Sequence, residues 1–110
     1  MGSGDVNVLD EASMLILAAA SAGPLSARQI AAESGVPEST LYRRLERLAE
    51  IGALCETSAL DGDNNHYFEY ETAIRHFDVT FEAGEAVVNA EYVGGKTRRW
   101  TYNSGPAAGD

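Results

Sequence analysis

The apolar positions of residues 9–22 recur at the spacing of an α-helix. Their sequence, LDEASMLILAAASA, places apolar side chains three, four and seven positions apart, at Leu9, Ala12, Leu15, Ile16 and Ala19. Asp10 is a suitable N-cap, and Gly23 followed by Pro24 ends the pattern. The pattern therefore predicts a first helix over residues 9–22 with this face turned to the core.

A short amphipathic segment follows, bounded by residues that favour helix ends. Ser26 suits an N-cap, and Gln29 three residues later completes the pattern of a capping box. Gly35 then provides a stop signal at the C-terminal end. These signals predict a second helix over residues 26–34, separated from the next segment by a tight turn, GVPES.

The third segment has the clearest division into an apolar and a polar side. Pro37 suits its start and Gly52 its end, which predicts a helix over residues 38–51. A core stripe at spacings of four and three is formed by Leu41, Leu45 and Leu48. At 100° per residue the opposite side carries Ser39, Arg43, Glu46 and Glu50, with Thr40 and Arg47 on one edge, Tyr42 on the other, and Arg44 nearer the core.

From residue 53 the period changes from that of a helix to that of a strand. The runs ALCETSAL and NHYFEYETA are separated by a polar tip, DGDNN, at residues 61–65. Aromatic side chains alternate with glutamates in residues 68–71, which indicates one buried face. We expect a β-hairpin over residues 53–73.

A second pair of alternating runs lies between residues 75 and 93. Apolar and polar side chains alternate on both sides of an EAGE turn, which predicts a further hairpin. Its apolar face could complete the core of the domain or pair two subunits. Residues 94–103 bring Lys96, Arg98 and Arg99 beside Trp100 and Tyr102, and this stretch could be an arm that grips DNA or a final strand that packs Trp100.

Three helices followed at once by a hairpin have the element order of a winged helix-turn-helix. We therefore predict an α+β fold with a winged helix-turn-helix domain over residues 9–73 and an additional C-terminal β-hairpin within an extension over residues 74–103. Residues 1–8 are expected to be a flexible N-terminus, and residues 104–110 a disordered tail.

The chain is acidic except where the second and third helices are predicted. It has 17 acidic against 8 basic residues, a formal net charge of -9, and only one of its basic residues is lysine. This composition resembles the proteins of salt-loving archaea, in which salt screens self-repulsion, although an ordinary acidic protein would also show it. Within residues 26–52 four arginines balance four glutamates, so the whole net charge lies outside this segment.

Two helices joined by a short glycine-containing turn, the second with arginines on its outer side, form the pattern of a helix-turn-helix. Arginine can donate two hydrogen bonds to guanine or bind phosphate, and hydroxyl groups can hold phosphates. The candidate contacts to double-stranded DNA are Arg28, Ser39, Thr40, Tyr42, Arg43, Arg44 and Arg47. Alternatively, this is a solvated helix whose arginines pair with Glu46 and Glu50.

Residues 25–54, LSARQIAAESGVPESTLYRRLERLAEIGAL, resemble the helix-turn-helix of archaeal winged-helix transcription regulators of the ArsR/TrmB-like kind. The motif elements that carry this resemblance are Ile30-Ala31, Gly35-Val36, Ser39-Thr40, Tyr42-Arg43, Leu45, Leu48 and Gly52. The resemblance implies a sequence-specific regulator that binds double-stranded DNA, usually as a homodimer, with the helix over 38–51 in the major groove. The chain departs from the family at the predicted wing tip, where Asp61 and Asp63 stand without a basic residue. An acidic wing would also suit a module that binds proteins and does not contact DNA.

The sequence carries no signature of catalysis, since it has no P-loop, GxGxxG, HExxH or credible Ser-His-Asp set. We expect a regulator and not an enzyme, with no cofactor and no metal, and the sequence identifies no small-molecule effector. The single cysteine, Cys55, excludes an internal disulfide and is expected to be a small buried side chain. No apolar run approaches the roughly 18 residues of a membrane span, so we expect a cytoplasmic protein without membrane contact.

Overall fold

The computed structural model describes residues 10–104 and divides the chain into two compact units, with the division between Ala73 and Ile74. The first unit contains three helices and a three-stranded sheet, and the second is a three-stranded sheet. The structure is therefore a mixed α+β fold with the three helices that the sequence predicts. The expected flexible N-terminus over 1–8, and residues 105–110 of the expected tail, lie outside the described residues.

Helix α1 spans Glu11–Ala19 and continues as one turn of 3₁₀-helix over Ala20–Ala22. The Asp10 side chain caps its start, where Oδ1 accepts a hydrogen bond of 2.8 Å from the backbone N–H of Ser13. The predicted inward face is rotated by about one residue, because Leu15 is 41% exposed whereas Leu17 is buried. This helix is apolar on nearly every side, so the spacing of its side chains does not single out one face.

Helix α2 spans Ala27–Ser34 and has the capping box that its sequence predicts. The Ser26 hydroxyl accepts a hydrogen bond from the Gln29 N–H at 3.1 Å, and the Gln29 side chain accepts one from the Ser26 N–H at 2.8 Å. Gly35 ends the helix in the left-handed conformation, with φ of 74°, and its N–H donates to the Ala31 carbonyl. Glycine adopts this conformation without the steric cost that a Cβ atom imposes.

Helix α3 spans Glu38–Glu50 and follows α2 after a three-residue turn. Pro37 is its N-cap and not its first helical residue, and the Pro37 carbonyl accepts hydrogen bonds from the N–H groups of Thr40 and Leu41. The predicted leucine stripe is buried and packs with residues of the first two helices. The side chains that are less than 2% exposed in this core include Ile16, Ile30, Leu41, Leu45 and Leu48.

The first sheet contains β1 (Leu25–Ser26), β2 (Leu54–Leu60) and β3 (His66–Thr72), which are antiparallel in the order β1-β3-β2. Strands β2 and β3 form a hairpin at the position where one was expected, with residues 61–65 between them. The Thr72 hydroxyl donates a hydrogen bond of 2.7 Å to the Leu17 carbonyl, which attaches the base of the hairpin to α1. Strand β1 has only two residues and was not predicted, because such a short run has no measurable period.

Cys55 lies at the start of β2, but it is exposed, so the expected buried position was wrong. The neighbouring Leu54 is 2% exposed and points to the helices. Since successive side chains of a strand point to opposite faces, Cys55 must point away from the core. The alternation of inward and outward side chains was therefore predicted one residue out of register.

The second unit is a sheet of β4 (Ile74–Glu82), β5 (Glu85–Tyr92) and β6 (Thr97–Asn103), antiparallel in the order β4-β5-β6. Ala83 and Gly84, both with positive φ, form the turn between β4 and β5. Residues 97–103 therefore form a strand beside β5, which is the second of the two alternatives for this stretch. The N–H of Ser104, at the start of the expected tail, donates to the Gly84 carbonyl.

Candidate nucleic-acid interface

Helix α3 presents a continuous polar surface on the side opposite its leucines. Ser39, Tyr42 and Arg43 in its N-terminal half are exposed, with 54% of Tyr42 accessible to solvent. Thr40 and Arg47 lie half-buried along one edge of this surface. The structure thus places five of the seven predicted contacts on the outward side and the two edges of a single helix.

The turn before α3 fixes the direction in which this surface points. Gly35 reverses the chain in the left-handed conformation, and the next residue, Val36, is buried. The N–H of Val36 donates to the Ser34 hydroxyl at 3.2 Å, which satisfies a backbone donor in the turn. A buried side chain on each side of the turn, Ile30 before it and Leu41 after it, ties the two helices to the same core. The packing of the inner side of α3 therefore fixes the direction in which its outward side points.

The outward surface of α3 is divided by charge. Stepping 100° per residue places Arg43 and Arg47 towards one edge and Glu46 towards the other, with Glu50 between them. The acidic edge borders a groove between α3 and the hairpin that is lined by Tyr42, Glu46, Glu50, Glu56 and Tyr70. An approaching phosphate chain would meet positive charge on one side of the helix and three carboxylates on the other.

Arg43 is exposed and is not engaged by the glutamates on its own helix. Within residues 10–104 no ion pair joins Arg43 to Glu46 or to Glu50, although both lie at helical spacings that permit one. For Arg43 the alternative of a solvated helix held by local ion pairs is therefore not observed. Its five N–H donors remain available for an external acceptor.

Arg44 lies near the core edge of α3, as its helical angle predicts, and it forms an ion pair that the sequence did not predict. Its guanidinium forms an ion pair of 2.8 Å with the carboxylate of Asp10, and only 25% of the Arg44 side chain is exposed. Burial pushes the pKa of Asp10 upwards, but hydrogen bonds from Ser13 and the charge of Arg44 outweigh it and leave the pKa below its ordinary value. Asp10 thus caps α1 and holds α3 with the same carboxylate.

Arg28 lies on α2 and borders the hairpin instead of the outward side of α3. It is exposed and lines a shallow depression together with Ser26, Gln29, Asp61 and Tyr67. The structure therefore does not bring Arg28 into the surface formed by the α3 residues. It brings this arginine near the acidic tip of the hairpin.

The hairpin tip is organised by one acidic side chain. Asp61 Oδ1 accepts hydrogen bonds from the backbone N–H groups of Asn65 and Asp63, at 3.0 and 2.8 Å. These bonds stabilise the ionised form and lower the pKa of Asp61. The exposed side chains at this end of the hairpin include Asp61, Asp63 and His66, and the apolar Leu60 and Phe68 are more than half exposed.

Tyr70 and Glu56 also line the groove between α3 and the hairpin, and neither residue was predicted from the sequence to be part of the site. The Tyr70 hydroxyl donates a hydrogen bond of 3.2 Å to Glu56 Oε2 across β2 and β3. Partial burial and the charge of Glu56 raise the pKa of Tyr70, so its hydroxyl remains a donor at neutral pH. Alternation along two strands placed both residues on one face, but only the pairing register shows that they are opposite each other.

Two features of the described residues bear on other kinds of function. Residues 10–104 contain no cluster of three or more side chains that could hold a metal ion. None of the described helices has the length and apolar character that crossing a membrane requires.

Among known protein families, the model of the IclR helix-turn-helix domain matches residues 12–56. The matched segment contains α1, α2 and α3 and the beginning of β2, and it includes every exposed candidate contact on α3. Residues 12–56 are therefore an IclR-type helix-turn-helix DNA-binding domain, of the kind found in transcription regulators. This match supports neither the ArsR/TrmB-like family nor an archaeal source. No curated protein and no solved structure matches the chain.

Proposed function

We propose that this chain is a transcription regulator that binds specific sequences of double-stranded DNA in the cytoplasm as a homodimer. In this proposal α3 enters the major groove and the β2–β3 hairpin acts as the wing. The observation that carries the proposal is the exposed Arg43 in the N-terminal half of α3, within a helix-turn-helix of the IclR type.

Arg43 is proposed to contact base edges. The major groove is about 12 Å wide and admits a helix, and arginine can donate two hydrogen bonds to O6 and N7 of guanine. Arg43 points away from the core and has no ion-pair partner on α3 among residues 10–104. The hydroxyl group of Ser39 on the outward side and that of Tyr42 on the edge beside the groove are also exposed, and both suit phosphate or base acceptors.

Thr40, Arg47 and Arg28 are proposed to contact the phosphate backbone. Thr40 and Arg47 lie along the edge of the outward surface, where a helix in the groove passes close to one strand. Arg28 is near the start of α2, where backbone N–H groups also favour a phosphate. Arg44 was expected to join this set, but its ion pair with Asp10 instead supports a role in positioning α3.

The hairpin proposed as the wing carries acidic side chains at its tip. We propose that cations lie between the DNA and the carboxylates of α3 and of the hairpin. Glu46, Glu50 and Glu56 line the groove beside the outward surface, and Asp61 stays ionised at the tip. Bare carboxylates at this position would repel phosphates, whereas bound potassium ions remove the repulsion. This is the behaviour expected of an acidic protein adapted to high salt.

The test is selection of bound fragments from the source genome, followed by fluorescence anisotropy with the enriched sequence and a scrambled one. Arg43→Ala should lose affinity for the enriched sequence. The matched control is Arg75→Ala, which removes an equal charge from an exposed position in the second unit. If no sequence is enriched and Arg43→Ala leaves binding unchanged, the second candidate applies. That candidate is a protein-binding module, which the acidic hairpin tip favours.

A further inference from the structure

The two faces of the second sheet differ in their aromatic and acidic side chains. Because side chains alternate along each strand, the pairing register assigns one face to Phe77, Val79, Phe81, Val88, Trp100 and Tyr102. The other face carries every acidic side chain of residues 74–104, which are Asp78, Glu82, Glu85 and Glu91. We call the first of these the aromatic face.

The aromatic face is ordered in rows across the three strands. Val88 on β5 lies between Val79 on β4 and Trp100 on β6. In the next row Ala86 has Phe81 on one side and Tyr102 on the other, and these two aromatic side chains are 78% and 39% exposed. The face therefore leaves large apolar side chains in contact with solvent at the end nearest the β4–β5 turn.

The aromatic face carries a single charged side chain. Arg98 lies in the row of Phe77, and its guanidinium stacks 5.1 Å from the centre of the Trp100 ring. A cation that stacks on an aromatic ring covers apolar surface with its own flat side, so Arg98 extends the face. The pairing register of β4, β5 and β6 places no carboxylate of these strands on this face.

We propose that the aromatic face is the surface through which two copies of this chain form a dimer. The proposal rests on the homodimer of the proposed function and assigns its interface. A three-stranded sheet with one apolar face needs a second layer to cover that face. A second copy supplies an identical aromatic face, and two sheets packed face to face about 10 Å apart interdigitate their side chains.

The size of the aromatic face fits a dimer. Three strands about 4.8 Å apart and eight residues at about 3.4 Å each cover roughly 14 by 27 Å, or about 400 Å² before side-chain relief is counted. Relief raises the accessible area to an estimated 500–600 Å² for each copy, or about 1,000–1,200 Å² for two. The upper end of this range reaches the lower bound of stable, specific interfaces, about 1,200 Å².

The distribution of charge selects a second copy as the occupant. Each chain has a net charge of -9, so two copies repel each other over most of their surfaces. The aromatic face has no carboxylate, and its one charged group, the Arg98 guanidinium, is stacked on Trp100, so two copies can meet there without burying carboxylates. In an isologous dimer both chains use the same surface patch, which must therefore fit against itself. An apolar, aromatic patch can do so in many side-chain arrangements.

The test compares adjacent positions on opposite faces of β6. Tyr102→Glu places a carboxylate on the aromatic face, and Thr101→Glu places the same group on the other face beside it. Phe81→Glu is a second interface variant, at a side chain whose exposure makes it dispensable for folding of one copy. Sedimentation equilibrium without DNA, in about 2 M KCl to screen the net charge, should give twice the 11.7 kDa chain mass for wild type and Thr101→Glu. The dissociation constant of Tyr102→Glu and of Phe81→Glu should be at least about 100-fold higher.

Trp100 provides an independent readout because it is the only tryptophan. Its emission should move to shorter wavelength as the mass doubles in wild type and should stay at long wavelength in Tyr102→Glu. If both interface variants still form dimers, the aromatic face is not the interface, although the protein is a homodimer. The same conclusion follows if the Trp100 emission wavelength does not change when the mass doubles. A monomeric wild type overturns the homodimer as well, while DNA binding is judged separately by Arg43→Ala. Loss of circular dichroism in both interface variants also overturns the proposal, because the face then packs within one copy.

Discussion

The carboxylate of Asp10 holds the guanidinium of Arg44 at 2.8 Å, across 34 positions of sequence. The same carboxylate accepts the N–H of Ser13 and so caps α1. One side chain therefore caps the first helix and contacts the third, whose outward side carries the exposed Arg43. The pair links the stability of the domain to the orientation of the proposed DNA-contacting surface.

Removal of either partner should destabilise the first unit. Asp10→Ala removes the cap and the ion pair, and we expect a loss of about 1–2 kcal/mol in the free energy of unfolding. Arg44→Ala should cost less than about 1 kcal/mol, since the pair is partly solvated. Urea unfolding of both single variants and the double variant gives the coupling energy. Strict additivity of the two changes would show that the ion pair contributes nothing.

The stability of the first unit should also depend on Asp10 at acidic pH. The pKa of Asp10 is lowered in the folded protein, so the unfolded chain binds this proton more readily. The stabilisation is therefore present at neutral pH and above the unfolded pKa, and it is lost as the pH falls through the folded pKa. Asp10→Asn should lose less stability than wild type between neutral pH and about pH 3 in urea titrations. An identical loss in both proteins would contradict the assignment.

Arg43 and Arg47 should differ in what they contribute to DNA binding. Arg43→Ala should lower affinity for the selected sequence by roughly 1–3 kcal/mol and affect random DNA much less, because a base-edge contact discriminates. Arg47→Ala should weaken binding to both sequences alike. It should also reduce the slope of the logarithm of the binding constant against the logarithm of the salt concentration by about 0.9. Anisotropy titrations at several KCl concentrations measure both quantities, with Arg75→Ala as the control. Equal effects of the two variants on both sequences would remove the distinction.

The acidic groove should make DNA binding tolerant of salt. Most DNA-binding proteins lose affinity as salt rises, because they release cations from the phosphates. Uptake of potassium ions by Glu46, Glu50 and Glu56 would offset that release, so affinity should fall little, or rise, from about 0.2 to about 3 M KCl. The variant with glutamine at these three positions should recover a steep loss of affinity. A wild type that loses affinity as steeply as this variant would contradict the mechanism.

The helices could be predicted because their ends and buried sides depend on nearby residues. Contacts between residues distant in the sequence could not be predicted. The ends of α2 follow from side chains within four residues, such as the capping pair of Ser26 and Gln29. The burial of Leu41, Leu45 and Leu48 follows from a strong contrast between the two sides of α3. In α1 that contrast is absent.

The candidate site shows the same limit. The helical angle placed Arg44 near the core, which agrees with its low exposure, but its partner Asp10 is remote in sequence. Arg28 belongs to the same predicted set, yet it borders the hairpin tip, because the path of the chain from α2 to β3 decides its neighbours. Position on a helix is a local property, whereas the neighbours of a side chain depend on the whole fold.

Within residues 10–104 no strand is shared between the two sheets, and all three strands of the first precede Ile74. During synthesis the helix-turn-helix and its hairpin can therefore fold on the ribosome before β4 has emerged. The aromatic face is complete only after β6 supplies Trp100 and Tyr102. In the proposed dimer, pairing through the aromatic face therefore follows synthesis of β6, and two growing chains that have not yet made β6 cannot pair through it.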